Sequence, residues 1–339
     1  MIAERLTAQL LAGPPARDAV SVVERLLAVQ GQDRRGVRLA IRARSSGLTA
    51  ADVDRALTED RSLVLTWLNR GTLHLVRRED YPWLLALTAP PLFTGNARRL
   101  AQEGVAPDVA ERGVAEIERR LAEEGPLTRA QLKERLESAG VPTAGQALVH
   151  LLGLAALRGI SVRGPVIGGE HAYALVRDWL GEPGPVDRAR CLPELARRYL
   201  AGHGPAGERD LAKWAGLPLR DARAGLGAIA NELDQRSDGL VALAGRLVAA
   251  PHPPPRLLGA YEPLLLGWES REPIVGSHRS LISSNGLFRP FALVRGRAVA
   301  TWSLRDGQIA TQPFVRLSRA DSAALERDAA DVARFLGLP

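Results

Sequence analysis

The chain has 339 residues, a formal net charge of +7 at pH 7 and a pI of about 10.3. This length allows two or three domains with a well-buried core. The positive charge favours a polyanionic partner, and nucleic acid is the first candidate. Because Cys191 is the only cysteine, an intramolecular disulfide and a cysteine-rich metal site are excluded.

Neither a competing enzyme class nor a membrane location finds support in the sequence. It contains no dinucleotide-binding glycine pattern, no P-loop and no nucleophile elbow, and its histidines are not spaced as metal ligands. We therefore expect no cofactor and no metal. The N-terminus lacks the apolar core of a signal peptide, and no apolar run approaches the ~18 residues of a transmembrane helix. The expected protein is cytoplasmic and has no membrane partner.

An amphipathic run near the N-terminus leads to a pair of glutamines. Apolar residues at helical spacing predict a helix over residues 18–29, and Gly31 is the predicted left-handed cap that ends it. In an extended chain residues i and i+2 face the same way, so Gln30 and Gln32 would present both amides to one point. Two amides at one point can hold a water or the polar edge of a ligand. The alternative is that this stretch is only the polar C-terminal end of a helix, with Gln30 in solvent. The local sequence alone favours this alternative.

Charged residues directly follow this pair. Asp33 is interpreted either as a carboxylate that stabilises charge beside the glutamines or as a turn cap. Arg34 and Arg35 are candidate DNA contacts, because the planar guanidinium binds phosphate oxygens in pairs.

Two further groups of residues are candidates for the same surface. On the strand predicted at residues 71–76, His74 faces the same side as Arg70, and both would line a pocket if this strand lies near the glutamines. An equally favoured alternative is that His74 is a structural residue of the wing whose ring makes one hydrogen bond. Arg279 and Arg289 flank a loop that could meet DNA together with Phe288, although a solvated loop with a buried Phe288 is favoured.

Three segments that begin at residues 47, 126 and 205, spaced 79 residues apart, resemble one another. Each is predicted to contain a short helix, a turn, a second helix and a two-stranded wing, which is the order of a winged helix. Thr49 and Thr128 are the predicted N-caps of the first two short helices. The predicted second helices are residues 63–68, 144–158 and 219–232. The predicted wing strands include residues 71–76, 160–162 with 173–176, and 233–235 with 240–243.

The predicted fold is therefore α+β and mostly helical, with three tandem winged-helix domains followed by a C-terminal β-meander and helix. Residues 96–107 are predicted to be loop-rich. The meander is predicted at residues 291–294, 298–303 and 308–315, and the helix at 318–336. The predicted domains are residues 1–100, with the helix that carries the glutamines, then 101–185, 186–255 and 256–339.

Several motifs together carry a family resemblance. They are Gln30-Gly31-Gln32, the run Thr-Trp-Leu-Asn-Arg-Gly-Thr-Leu-His-Leu at residues 66–75, Leu-Leu-Gly-Ala-Tyr-Glu at 257–262 and Gly-Leu-Phe-Arg-Pro at 286–290. With them, nearly the whole chain resembles the AlkZ-type family of tandem winged-helix proteins, which includes DNA glycosylases for bulky or crosslinking alkylpurine lesions. Characterised glycosylases of the family usually have a larger apolar residue where this chain has Gly31. Of an acidic pair that the family often has, this chain keeps only Glu262.

The resemblance implies that Gln30 and Gln32 are the catalytic pair. Asp33, His74 and Glu262 are candidates for a supporting role. We expect a monofunctional, monomeric glycosylase that binds double-stranded DNA mainly through phosphates. A purine alkylated at N7 or N3 is already cationic and leaves as a neutral base, so the enzyme mainly has to place a water and stabilise an oxocarbenium-like state. Glutamine can orient that water although it is neither an acid nor a base. The alternative function is a non-catalytic winged-helix DNA-binding protein or transcriptional regulator.

Overall fold

The computed structural model describes residues 1–182, 184–245, 249–278, 281–283 and 286–338. The chain forms two compact units: the first comprises Met1–Asp54 and Leu192–Pro339, and the second comprises Arg55–Cys191. About half of the residues are helical and both units contain β-strands, so the predicted α+β class is confirmed. Within the described ranges, no helix combines the length and the apolar composition that crossing a bilayer requires.

The N-terminal segment of the first unit contains three helices and one short strand. They are α1 (Ile2–Ala8), α2 (Ala19–Leu26), β1 (Val29–Gln30) and α3 (Arg34–Arg42). Helix α4 (Ala50–Thr58) follows and continues into the second unit. Thr49 Oγ1 accepts a hydrogen bond from the backbone N–H of Asp52, so the predicted N-cap is confirmed.

The predicted end of the first amphipathic helix is wrong. Asp18 caps α2 as its side chain accepts a hydrogen bond from the backbone N–H of Ser21 at 2.7 Å. The helix ends at Leu26, however, because Leu27 adopts a φ of 64° that no α-helix contains. Leu27 is fully buried, so packing of its side chain stabilises a backbone conformation that L-residues rarely adopt. The chain is therefore already extended at Gln30, and Gly31 is not the cap.

The second unit begins with β-strands and continues with helices. Its elements after α4 are β2 (Leu63–Leu68), β3 (Thr72–Arg77), α5 (Tyr81–Thr88), α6 (Phe93–Gln102), α7 (Pro107–Glu124), α8 (Arg129–Ser138), α9 (Ala147–Leu157), β4 (Ser161–Ile167), β5 (Glu170–Leu175) and α10 (Val176–Leu180). The strands lie in the order β3-β2-β4-β5 and every neighbouring pair is antiparallel.

Two predictions in this unit are wrong. Residues 63–68 form the interior strand β2 rather than a helix, so the first repeated segment passes from α4 directly to β2 and β3. The run Leu-Val-Leu-Thr-Trp-Leu is almost continuously apolar, which suits a strand covered on both faces as well as a buried helix. Residues 96–102, predicted as part of a loop, belong to α6, whose Leu100 is anchored in the core.

In the second repeated segment the predicted order is present. Helix α8 opens with a capping box in which Thr128 and Gln131 bond each other's backbone N–H groups. Helix α9 and the hairpin β4–β5 follow, with slightly different boundaries from those predicted.

The C-terminal segment of the first unit combines helices with two antiparallel sheets. Helix α11 (Arg188–His203) starts in the second unit and continues into this segment. The other elements are α12 (Glu208–Ala215), α13 (Leu219–Ala228), β6 (Leu233–Gln235), β7 (Val241–Leu243), β8 (Arg256–Leu258), α14 (Pro263–Leu266), α15 (Glu272–Val275), β9 (Phe291–Val294), β10 (Arg297–Arg305), β11 (Gln308–Pro313) and α16 (Arg319–Leu336). The third repeated segment has the predicted helices and hairpin. The predicted meander and C-terminal helix are confirmed, and β8 joins the meander in the order β11-β10-β9-β8.

Two glycines allow α3 to cross closely over the chain that leaves β8. A Cβ atom on Gly36 would lie 2.3 Å from the backbone oxygen of Ala260. A Cβ on Gly259 would lie 2.9 Å from the Cα of Gly36. Neither backbone can retreat from a side chain at these distances, so this crossing requires glycine on both sides. This crossing brings residues 259–262 against the start of α3, and α3 begins shortly after the two glutamines.

Candidate active site

The structure brings the two glutamine side chains together. Gln30 lies on the short extended segment β1, and its Nε2 donates a hydrogen bond to Oε1 of Gln32. Gln30 is 7% exposed, whereas Gln32 is exposed, so the pair presents one anchored and one accessible amide. The predicted side-by-side arrangement of the two amides is thus confirmed, and the period of two in extended chain is its cause.

Asp33 caps the helix that follows. Its Oδ1 accepts a hydrogen bond from the backbone N–H of Gly36, which satisfies one of the free donors in the first turn of α3. The capping interpretation of Asp33 is therefore confirmed. The cap also holds the carboxylate in a constant position one residue after Gln32.

Three arginines of α3 lie beside this cap. Arg38 is buried and pairs with Asp54, and Arg34 Nη2 lies 3.7 Å from the same carboxylate. Burial lowers the pKa of Arg38, while the charge of Asp54 opposes this shift. Arg35 is exposed and forms no salt bridge within the described part of the chain. Arg34 and Arg38 share the carboxylate of Asp54, whereas Arg35 has no such counter-charge among the described residues. This surface is therefore positive.

A cavity of about 560 Å³ opens next to these residues. Its polar lining consists of the Asp33 cap and the three arginines. The apolar part of the lining consists of Leu39, Ala260, Pro290, Trp302, Leu304 and Leu336. A lining that is partly apolar and partly cationic suits the mixed surface of a modified nucleic acid better than a bare phosphate.

Sequence reasoning missed Tyr261, which the close crossing at Gly36 places near the cap. Burial and the negative charge of Asp33 raise the pKa of the Tyr261 phenol. Its ring lies 5.8 Å from that of half-buried Phe288, over which the guanidinium of Arg271 sits at 5.1 Å. Tyr261 has a φ of 54°, which marks a constrained turn, yet nothing in the local sequence signals its proximity to Asp33.

Glu262 occupies a different environment. Glu262 and Arg44 both have fully buried side chains and form a salt bridge. Arg44 also donates hydrogen bonds to the backbone and side-chain oxygens of Gln9, at 2.8 and 2.7 Å, and to the backbone oxygen of Ala40 at 2.9 Å. A carboxylate without exposed surface stabilises the core rather than contacting a ligand in this conformation.

His74 and Arg70 belong to the second unit. His74 is buried, and its Nδ1 lies 3.0 Å from the backbone oxygen of Thr72, which fixes the proton on Nδ1. Burial and the charge of Arg70 lower the pKa of His74 to about 3, so the imidazole is neutral at physiological pH. These features match a histidine with one satisfied hydrogen bond. Arg289 is exposed, and Arg279 lies outside the described residues.

Comparison with known proteins places this chain in a family. The model of the family described as DNA glycosylase AlkZ-like matches residues 23–335, which include both glutamines. This chain belongs to the AlkZ-like DNA glycosylase family. The resemblance stated from the motifs is thereby confirmed.

A sequence relative and a solved structure, both from Streptomyces sahachiroi, agree with this assignment. The chain is 30% identical to an interstrand DNA cross-link repair glycosylase, with all of this chain and 96% of the relative covered. It also resembles the solved structure of the DNA glycosylase AlkZ, with a TM-score of 0.79, 26% identity, and coverage of 99% of this chain and 96% of that one. The similarity therefore extends over the whole α+β architecture and is not confined to the glutamine motif.

Proposed function

We propose that this protein is a monofunctional DNA glycosylase that hydrolyses the N-glycosidic bond of purines alkylated at N7 or N3. Bulky adducts and interstrand crosslinks are included among the proposed lesions, because the relative of 30% identity is named for crosslink repair. The observation that carries the proposal is the contact between the amides of Gln30 and Gln32 in a member of a glycosylase family.

The proposed chemistry needs a positioned water and little acid–base assistance. A cationic purine departs as a neutral base, so the main barrier is the approach of water to the anomeric carbon of an oxocarbenium-like sugar. The Nε2 group of exposed Gln32 can donate to that water, and the bond from Gln30 fixes the orientation of the Gln32 amide. The Asp33 carboxylate, held by its cap, would stabilise the developing positive charge.

DNA would be held mainly by its phosphates. Arg34 and Arg35 are exposed in the first turn of α3, directly after the glutamines and Asp33, and we assign them, with Arg70, Arg279 and Arg289, to phosphate contact. We further propose three winged-helix domains, within residues 1–100, 101–185 and 186–255, and a C-terminal region at 256–339. The proposed protein is a monomer and is located in the cytoplasm. The second and third repeated segments support this division, since each contains two helices followed by a hairpin.

The proposal is tested by incubating the protein with duplex DNA that carries 7-methylguanine and measuring abasic sites by alkaline strand cleavage. Gln30→Ala or Gln32→Ala should lower excision at least ~10-fold, equivalent to about 1.4 kcal/mol of barrier, with little change in DNA affinity. The double variant should be little worse than the worse single one, because both amides act on one water. Gln102→Ala, at an exposed position of α6, is the matched control and should retain full activity.

Undiminished excision by the double variant would refute the catalytic assignment. If the unmodified protein binds DNA but excises no cationic lesion, the non-catalytic winged-helix DNA-binding protein becomes the better description.

A further inference from the structure

The first unit contains a pocket of about 370 Å³ whose lining includes six charged residues. They are the cations Arg42, Arg256, Arg327 and Arg334 and the anions Asp328 and Asp331. The walls are formed by the end of α3 and the turn that follows it, by residues 254–256 and by α16. None of these lining residues belongs to the set that we propose above for catalysis or DNA contact. We call this site the arginine pocket.

Two of the four arginines neutralise the two aspartates. Arg42 Nη2 lies 2.8 Å from Oδ2 of Asp328, and its Nη1 lies 3.0 Å from Oδ2 of Asp331. Arg334 Nη2 lies 2.7 Å from the other oxygen of Asp331. Asp328 also accepts a hydrogen bond from the backbone N–H of Leu257 at 2.6 Å. Both aspartates therefore already have cationic partners, so the charge of the other two arginines is left over.

These other two arginines form no salt bridge within the ranges that the structure describes. Arg327 is exposed and makes no hydrogen bond within those ranges either. Arg256 is partly exposed, and its Nη1 donates to the backbone oxygen of Ala43 at 2.5 Å. Burial lowers the pKa of Arg256, and the charge of Asp328 opposes this shift. A partly desolvated guanidinium without an adjacent counter-charge is stabilised when an anion binds beside it.

A phosphate group fits the donors that line this pocket. The planar guanidinium presents a fork of N–H groups that binds two phosphate oxygens at once. Because Arg327 is exposed, its fork is accessible to a ligand. The lining also contains exposed Ser46, whose hydroxyl can donate to a further oxygen.

The pocket lies close enough to the glutamine motif for one DNA duplex to reach both. Helix α3 has nine residues, with Asp33 as its N-cap and Arg42 as its last residue. At about 1.5 Å per residue, these two ends are about 13 Å apart. Duplex DNA rises about 3.4 Å per base pair, so this separation corresponds to about four base pairs.

We propose that the arginine pocket binds one backbone phosphate of duplex DNA, about four base pairs from the excised base, through Arg256 and Arg327. Arg327 supplies the accessible fork, and Arg256 adds positive charge from the wall. The ion pairs between Arg42 and α16 fix the walls of the pocket. The distance from the excised base rests on the proposed function, whereas binding of the phosphate does not require excision.

Arg327→Glu tests the proposal, because it places a negative charge where the phosphate would bind. The affinity of the full chain for a labelled, undamaged duplex is measured by fluorescence anisotropy over a range of salt concentrations. Loss of one neutralised phosphate should make the log–log salt slope shallower by about 0.9 and lower the affinity about 8-fold at about 0.1 M salt. Arg319→Glu, at an exposed position of α16 outside the lining, changes the net charge equally and should stay within about 2-fold of the unmodified protein.

Inorganic phosphate distinguishes a DNA phosphate from a free anion. The proposal is overturned if inorganic phosphate, at constant ionic strength, raises the melting temperature of the unmodified protein but not of Arg327→Glu while both bind DNA equally. Any other result in which Arg327→Glu keeps the affinity and salt slope of the unmodified protein also overturns it. If the unmodified protein excises no cationic lesion but the slope becomes shallower in Arg327→Glu, the phosphate site stands and only the proposed function fails.

Discussion

Replacing Glu262 by glutamine separates a structural role of this residue from a catalytic one. The substitution keeps the shape of the side chain but leaves the fully buried guanidinium of Arg44 without a counter-charge. Breaking a buried ion pair by removing one partner typically costs about 3–5 kcal/mol. Arg44 keeps three hydrogen bonds to Gln9 and Ala40, so we expect a loss at the lower end, about 3 kcal/mol.

Urea unfolding followed by circular dichroism measures this loss. With a slope of about 2–3 kcal/mol per molar urea, Glu262→Gln should lower the midpoint by about 1 M or more. Glu326→Gln removes an exposed carboxylate of α16 and should change the unfolding free energy by less than about 0.5 kcal/mol. Excision per folded molecule should stay within about 2-fold of the unmodified protein, because Glu262 has no surface from which to contact DNA.

The paired substitution Arg44→Met/Glu262→Leu completes the test. Removing both charges avoids a lone buried ion, so the double variant should lose less stability than the sum of Arg44→Met and Glu262→Leu. If Glu262→Gln unfolds at the same urea concentration as the unmodified protein, the ion pair with Arg44 does not stabilise the fold. A large loss of excision with unchanged stability would assign Glu262 to catalysis instead.

Three further predictions concern the glutamine motif, DNA binding and His74. Gly31→Val should raise excision of 7-methylguanine if the larger residue of characterised glycosylases helps to hold the pair; equal or lower rates would contradict this. DNA affinity should fall with salt at a log–log slope of about −4 to −5 if ~5 phosphates are neutralised, and a flat dependence would exclude phosphate-driven binding. The pKa of His74 is lowered to about 3, against about 6.5 when unfolded, so the unfolded chain binds the proton first as pH falls. Stability should therefore decrease by about 1.4 kcal/mol per pH unit between pH 6 and pH 4, and His74→Gln should show a correspondingly flatter unfolding profile.

Local patterns in the sequence determined several elements of this protein. The capping box at Thr128 and the hairpin β6–β7 with its Asp238-Gly239 turn were predictable, because each depends on residues close in the chain. The contact of Gln30 with Gln32 was predictable for the same reason, since i and i+2 of an extended segment share a face.

Tertiary structure decided where the local signal was ambiguous or absent. The apolar run at residues 63–68 suits a buried helix or a buried strand, and pairing with β3 and β4 selects the strand. Helix α2 ends at Leu26, because burial of the Leu27 side chain outweighs the cost of its positive φ, and no residue in the local sequence indicates this end.

The surroundings of the glutamines depend on contacts between residues far apart in sequence. Tyr261 approaches Asp33 because Gly36 and Gly259 let two backbones cross, and Arg44 finds its counter-charge in Glu262. Periodicity and capping report only on neighbours within a few residues. The packing of the whole unit selects which distant carboxylate or ring reaches a given position. An arrangement that leaves a buried charge or polar group without a partner is unfavourable.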